Sequence, residues 1–413
     1  MKLYYPSIIA FILSSFGRNS NAQNINYSEH IKPIMTTHCL PCHTKENVGP
    51  MALTTYQEVL AYAKMIQFVT SNSLMPPWKA DLHYSEIKNV SKLTANEISL
   101  IRQWVENKLP EGKKIPSKNV PPKMLDKYDY VFTMQQTYTH QGGYLEESRV
   151  FVIPINLEKD ISVDALEFVP FDKKLISSCT ISIDTSSTST RFDSYDLHYG
   201  YGTLSGLSFI PYQYNWYQWT SDKDVEYLKN GYVKNIPAHC RILFHVNYLP
   251  THVSQKDSSY LKVRILKNNI VQKVIQSDFK IDISNLSAQA FSINKYEKKE
   301  FIASTTLKKP IEIHSIMPQG QLICKSWEIY AIDRVTGKQI NLLKIPAWDF
   351  HWKKKYELKE PIFLPAGTEI RAVAHYDNSE ENLNIPLFPP DKIQYGEGKR
   401  EELFLVQFDV VYL

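Results

Sequence analysis

The chain is short of the residues from which most metal and catalytic sites are built. It has five cysteines and twelve histidines in 413 residues, and no second Cys or His pair follows its one Cys-x-x-Cys. A zinc site would want two more ligands of that kind. No basic block interleaved with aromatics occurs, so nucleic acid is not indicated. A glycine-rich phosphate loop and a nucleophile elbow are both missing. Charge of one sign is lacking too: the formal charge is +4, from 47 basic and 43 acidic residues. Loss of a leader carrying Lys2 and Arg18 leaves 45 − 43 = +2. The apolar run from Leu3 to Phe16 is too short and too often interrupted to cross a bilayer comfortably, so no membrane span is expected.

What is present is Cys39-Leu-Pro-Cys42-His43. Two thiols three apart on one helical turn can each form a thioether to a haem vinyl group. The next residue sets an imidazole under the iron. The spacing therefore predicts haem c held covalently by Cys39 and Cys42, with His43 as an axial ligand. The competing reading is a redox or zinc Cys-x-x-Cys with a bystander histidine.

Lys2, the apolar run and Ser20-Asn21-Ala22 before Gln23 have the order of a secretory leader, which assigns residues 1–22 to a signal peptide. No cysteine follows the cleavage site, so a lipid anchor is not suggested. A periplasmic or otherwise exported location agrees with the haem motif. The length suggests two or three domains. Hydrophobic content of 43% and charged content of 22% are those of a soluble globular chain, and 26 tyrosines lean towards sheet.

Residues 26–116 read as short helices. Ile31, Ile34 and Met35 share one face ahead of the haem motif. Thr55 with Glu58, and Thr94 with Glu97, have capping-box spacing. Ile98, Ile101, Trp104 and Val105 fall at core spacing, and Pro110 and Gly112 end that helix. A haem iron here needs a sixth ligand. Met75, in Leu74-Met75-Pro76-Pro77-Trp78, sits on a proline-stiffened extended loop and is favoured. Met51, His83 and an open site remain alternatives, and Met65 reads as core. A His/Met pair suits electron transfer rather than oxygen chemistry.

Several stretches of this segment resemble the cytochrome c domain at the N-terminus of certain exported bacterial proteins. They are Cys39-Leu-Pro-Cys42-His43, Gly49-Pro50-Met51, Met75-Pro-Pro-Trp78-Lys-Ala-Asp81 and Ile101-Arg-Gln-Trp104-Val. In that family the domain precedes a copper type II, ascorbate-dependent monooxygenase module similar to peptidylglycine α-hydroxylating monooxygenase. After a proline-bearing linker, 117–124, the chain reads as strands of five to eight residues separated by turn signals. The expected fold is multidomain: a small all-α cytochrome c domain, then two antiparallel β-sandwich (jelly-roll-like) domains over 125–280 and 281–413.

The resemblance covers the β part but departs from it where copper would bind. Family positions for two adjacent histidines and a third read Ser177, Ser178 and Asn247. Those for His-x-His and a methionine read Gln319, Gln321 and Leu403. These residue types are weak donors for copper, or none at all, so copper is not expected. His198, His239, His245, His252 and His314 could make an off-register site only by unusual convergence. Cys179, Cys240 and Cys324 are odd in number; a Cys179–Cys240 disulfide is open, and sequence does not establish it. Asp349 and His351 read as a packed strand edge rather than an acid/base pair.

The leading expectation is an exported mono-haem electron carrier with a copper-less monooxygenase-like module for docking. Its partners would be a redox protein and a small-molecule or peptide ligand in the module's cleft. The alternatives are a working copper monooxygenase fed by the haem and a non-catalytic scaffold in a larger assembly.

Overall fold

A computed structural model of the chain describes residues 25–114, 124–202, 215–223, 225–229, 231–267, 273–287, 290–396, 398 and 400–413. The leader assigned to 1–22, and all but the last residue of the linker assigned to 117–124, lie outside them.

The first helical run begins at Asn26, whose side chain accepts from the Glu29 amide at 3.0 Å and caps a run through Cys39. That run alternates wide π turns at Tyr27–Ile31 and Met35–Cys39 with a short α turn at Lys32–Ile34. Helices Tyr56–Ser71 and Ala95–Glu106 follow. Both capping boxes form: the Glu58 amide donates to Thr55 at 3.2 Å and the Glu97 amide to Thr94 at 3.2 Å, each glutamate accepting in return. Each cap is worth about 1 kcal/mol. Ile31, Met35, Val59, Ala63, Ile66, Ile101 and Trp104 close a core between these segments. Trp104 donates its indole N–H to the Pro110 carbonyl at 3.1 Å, which ties down the end of the last helix.

The remainder is sheet. A six-stranded sheet runs in the order Tyr130–Thr133, Tyr260–Ile265, Ile161–Val169, Tyr232–Ile236, Lys273–Val274, with Glu226–Tyr227 paired to its middle strand. A five-stranded sheet has the order Tyr201–Gly202, Glu147–Pro154, Arg241–Tyr248, Ile176–Asp184, Tyr217–Thr220. Phe168 and Val263 of the first and Phe244 and Ile181 of the second meet in one apolar cluster. Two four-stranded sheets follow, one ordered Gln276–Asp282, Leu405–Tyr412, Ile311–Gln319, Tyr356–Leu364. The other is ordered Lys298–Thr306, Glu369–Asp377, Cys324–Ile332, Gln339–Ile345. A three-stranded and a two-stranded sheet complete the set.

The fold class expected from the sequence is therefore corrected. Among the described residues the chain is mostly β, about 40% strand against 14% helix with four α-helices, and it is not a small all-α cytochrome c domain followed by two β-sandwiches. Helix is the small share because the described residues from Tyr130 onward pair mostly into sheets, and residues 78–90 do not fold with the helices. They lie as a strap on the last sheets, with the Asp81 amide donating to Lys344 and the Lys88 amide to Glu357, both at 2.8 Å. Ala80 and Ile87 are buried in the same cluster as Tyr356 and Leu358. Among the described residues, an α-helix, Thr188–Asp193, and a 3-10 turn, Ile283–Asn285, sit inside the β part. Strand periodicity is local information, whereas the assignment of strands to six sheets depends on pairings far apart in sequence.

A buried ionic cluster joins the two larger β units. Asp409 accepts from Lys234 at 3.2 Å and from Lys355 at 3.0 Å, and Ser277 donates to its other oxygen. Lys234 also donates to the Trp216 carbonyl and Lys355 to that of Asn215. Burial would raise the Asp409 carboxyl, but the two ammonium groups outweigh it and hold it well below the usual range. Burial presses Lys355 down to about 8 against the pull of Asp409. Asp409→Asn leaves two ammonium groups buried without their counter-charge. It should cost roughly 3 to 5 kcal/mol in denaturant unfolding; a loss under about 1 kcal/mol would show that the cluster does not hold the units together.

Candidate functional site: the Cys39–His43 turn and its β wall

The Cys39–His43 stretch closes as one turn: the His43 amide donates to the Cys39 carbonyl at 2.8 Å and the Cys42 amide to the same atom at 3.1 Å. The chain then doubles back. Gly49 donates to Cys42 at 2.8 Å and Leu53 to His43 at 3.0 Å. His43 Nδ1 lies 3.1 Å from the Met51 carbonyl, so this nitrogen carries the proton and Nε2 is the one with a lone pair to give a metal. Gly49 makes the close approach possible, since a Cβ there would stand 2.6 Å from His43 Nδ1.

Cys39 and Cys42 are half-buried and not disulfide-bonded. Burial, with the neighbouring Cys42 adding to it, pushes the Cys39 thiol up to about 12, and burial raises Cys42 as well. A redox Cys-x-x-Cys needs a lowered thiol pKa, so this environment opposes the redox reading. The other nearby histidines are spent: His38 contacts the Ser91 carbonyl at 3.0 Å and Glu97 at 3.1 Å, and His30 accepts from the Asn26 amide. His83 is exposed on the strap.

The three methionines separate clearly. Met51 packs against the helical core, and its carbonyl already holds the His43 ring. Met75 is 45% exposed, on a loop fastened by the Leu74 and Met75 amides to the Val69 carbonyl. Met65 is not core: it is 53% exposed, because Val59, Ala63, Ile66 and Thr70 fill the inward face and Met65 lies about 120° round the helix from them. Tyr62, Phe68 and Leu74 join Met65 and Met75 as exposed apolar residues of this region.

On its other side the motif meets sheet. Cys42 Sγ is 3.4 Å from Ser221 Oγ. Asp222 accepts from Thr220 at 2.6 Å and pairs with Lys354 at 2.7 Å. The Lys354 ammonium lies over the Trp78 ring at 5.6 Å and the Trp352 ring at 5.4 Å. Sequence periodicity carried no sign of this wall; the only hint was the Lys353-Lys354-Lys355 run beside Trp352.

The positions aligned with copper ligands do come together in two groups. Asn247 stands opposite Ser178 and donates to it at 2.9 Å, while Ser177 donates to the Asn247 carbonyl at 3.0 Å. Gln319 donates to Gln407 at 2.8 Å, and Gln321 to the Gly396 carbonyl at 2.9 Å. Leu403 is buried beside Glu402, which accepts from the Leu403 amide at 2.9 Å and from the Gln321 amide. Each group spends its polar atoms on its neighbours.

The other sequence candidates stay apart. His198, His239 and His252 are exposed, and His314 packs on Tyr232 at 4.7 Å. Asp349 and His351 lie at a turn, not on a packed strand edge; His351 is exposed, while Asp349 is half-buried and pairs with Lys79 at 3.1 Å. Cys179, Cys240 and Cys324 are buried thiols. Cys179 stands opposite Val246, six positions along from Cys240, about 20 Å of strand, which rules out the Cys179–Cys240 disulfide. Among the described residues no three or more His, Cys, Asp or Glu side chains gather as a metal site, which goes against the metal-binding character expected from the sequence. No described helix is long and apolar enough to cross a membrane.

No family model and no curated protein matches the chain. Among solved structures, PNGF-II is 9% identical with a TM-score of 0.28, over 68% of this chain and 65% of its own. The infectious bursal disease virus Gt strain is 11% identical with a TM-score of 0.15, over 71% and 81%. The coconut allergen cocosin is 8% identical with a TM-score of 0.13, over 70% and 86%. The chain thus spans 65% of PNGF-II's length, and likenesses this weak carry no argument about its fold or function.

His245 yields a pH prediction. It is buried at the centre of the five-stranded sheet with no partner for either ring nitrogen, and burial lowers it to about 3 from 6.5. Its folded pKa is the lower one, so between those values the unfolded chain binds the extra proton. Stability is lost as pH falls from about 6.5 towards 3, by roughly 3 to 5 kcal/mol at the bottom. Urea unfolding at stepped pH should show that slope in the wild type and a shallower one in His245→Leu.

Proposed function

We propose that the chain is an exported electron carrier that holds one haem through Cys39 and Cys42, with His43 as axial ligand and Met75 as the favoured sixth ligand. The observation that carries this reading is the contact of His43 Nδ1 with the Met51 carbonyl, because it presents Nε2 to a metal and fixes the ring plane. The unpaired, half-buried thiols on the same turn fit thioether formation better than redox cycling. A bound haem would supply a one-electron couple.

The chain's own residues then have separate tasks. Met51 holds the imidazole by its backbone, so its side chain starts on the His43 side of the motif. Met75 keeps an exposed thioether on a fastened loop. Tyr62, Met65, Phe68 and Leu74 offer apolar surface that a macrocycle would cover. The β part would dock a redox partner protein and take a small-molecule or peptide ligand near the Ser178–Asn247 and Gln319–Gln321 groups. Their neutral side chains suit hydrogen bonding rather than copper.

The test is the full chain made in a host with export and haem-maturation machinery, then offered copper. One iron per chain, a covalent haem spectrum after denaturation and no retained copper are expected. Cys39→Ser with Cys42→Ser should abolish covalent haem. Met75→Ala should remove the thioether-to-iron band of the ferric form, and Met51→Ala should keep it. Haem-free protein, or tightly held copper, would overturn the reading.

A further inference from the structure

The Cys42 end of the motif rests on a charged pair supplied by two distant parts of the chain. Cys42 Sγ touches Ser221 Oγ at 3.4 Å. The next residue, Asp222, pairs with Lys354 at 2.7 Å, with side chains only 19% and 13% exposed. Asp222 belongs to the turn after Tyr217–Thr220, and Lys354 to the segment before Tyr356–Leu364. Both are held from behind. Gln218 donates to the Lys353 carbonyl at 3.0 Å and accepts from the Lys355 amide at 2.7 Å. Lys355 in turn binds Asp409 in the buried cluster.

Resting on the haem reading above, we infer that Asp222 and Lys354 each bias the redox potential of a haem attached through Cys42, in opposite directions. A thioether at Cys42 brings the edge of the macrocycle to the atom that already touches Ser221. The ferric form carries one more positive charge than the ferrous form, so a carboxylate here favours ferric and an ammonium favours ferrous. The pair is largely shielded from water, so salt screens it less than a surface pair. Intact, its two charges offset each other at the haem edge.

Potentiometric titration of the haem-loaded full chain separates the outcomes. Asp222→Asn exposes the haem edge to Lys354 alone and raises the midpoint potential. Lys354→Met leaves Asp222 alone and lowers it. The double substitution returns the potential to near the wild type, and Asp222→Glu keeps it there. Where Asp222→Asn does not fold, Ser221→Asp adds a carboxylate beside Cys42 and lowers the potential. Lys229→Met, which strips an ammonium from a well-exposed pair with Glu360, gives no shift. Covalently loaded single variants with the wild-type potential, or shifted in the same direction, overturn this inference alone. A wild type without covalent haem overturns the proposed function, and the inference falls with it.

Discussion

Two ammonium groups sharing one buried carboxylate are the constraint on which the arrangement of the β units depends. Lys234 comes from the first unit, and Asp409 and Lys355 from the second. Three charges inside a protein are costly unless each meets an opposite charge or a good acceptor. Here the Trp216 and Asn215 carbonyls and the Ser277 hydroxyl fill the remaining sites. An apolar contact tolerates sliding, whereas this cluster permits one register between the units. Because Lys355 adjoins Lys354, that register also determines where the Asp222–Lys354 pair stands relative to Cys42.

The Cys39–His43 turn itself is built with local means. A residue three on from Cys39 returns to the same turn, Gly49 leaves room for the imidazole, and Met51 fixes the ring from its backbone. None of this needs the β part. What the β part adds is a wall of opposed charges and aromatic rings against one thiol. Local geometry thus orients the His43 imidazole, and long-range geometry decides the electrostatic surroundings of the turn.

That division explains what could be read in the sequence. The Cys39–His43 turn, both capping boxes and the core stripe through Ile101 and Trp104 are short-range patterns, and their geometry appears as spaced. Met65 misled because a methionine within an apolar helix looks like packing, while three other positions and a threonine fill the inward face. The strap at 78–90 was invisible for a different reason: its partners, Lys344 and Glu357, lie more than 250 residues away. The fold class went wrong at the same place, since strand-forming segments are legible one at a time and their pairing into six sheets is not. The side chains around Asn247 and Gln319 are taken up in hydrogen bonds with their neighbours, pairings that the sequence does not display.

The strap also bears on the order in which the molecule is completed. Ala80 and Ile87 find their apolar neighbours only when Tyr356 and Leu358 are in place, near the far end of the chain. A polypeptide emerging from its N-terminus carries that stretch uncovered through most of its synthesis. The helices have their own core, but the passage between them stays open until the Tyr356–Leu364 strand arrives. A segment made well before its partners is therefore finished only after them, and a chain truncated before residue 356 would leave this seam unsealed.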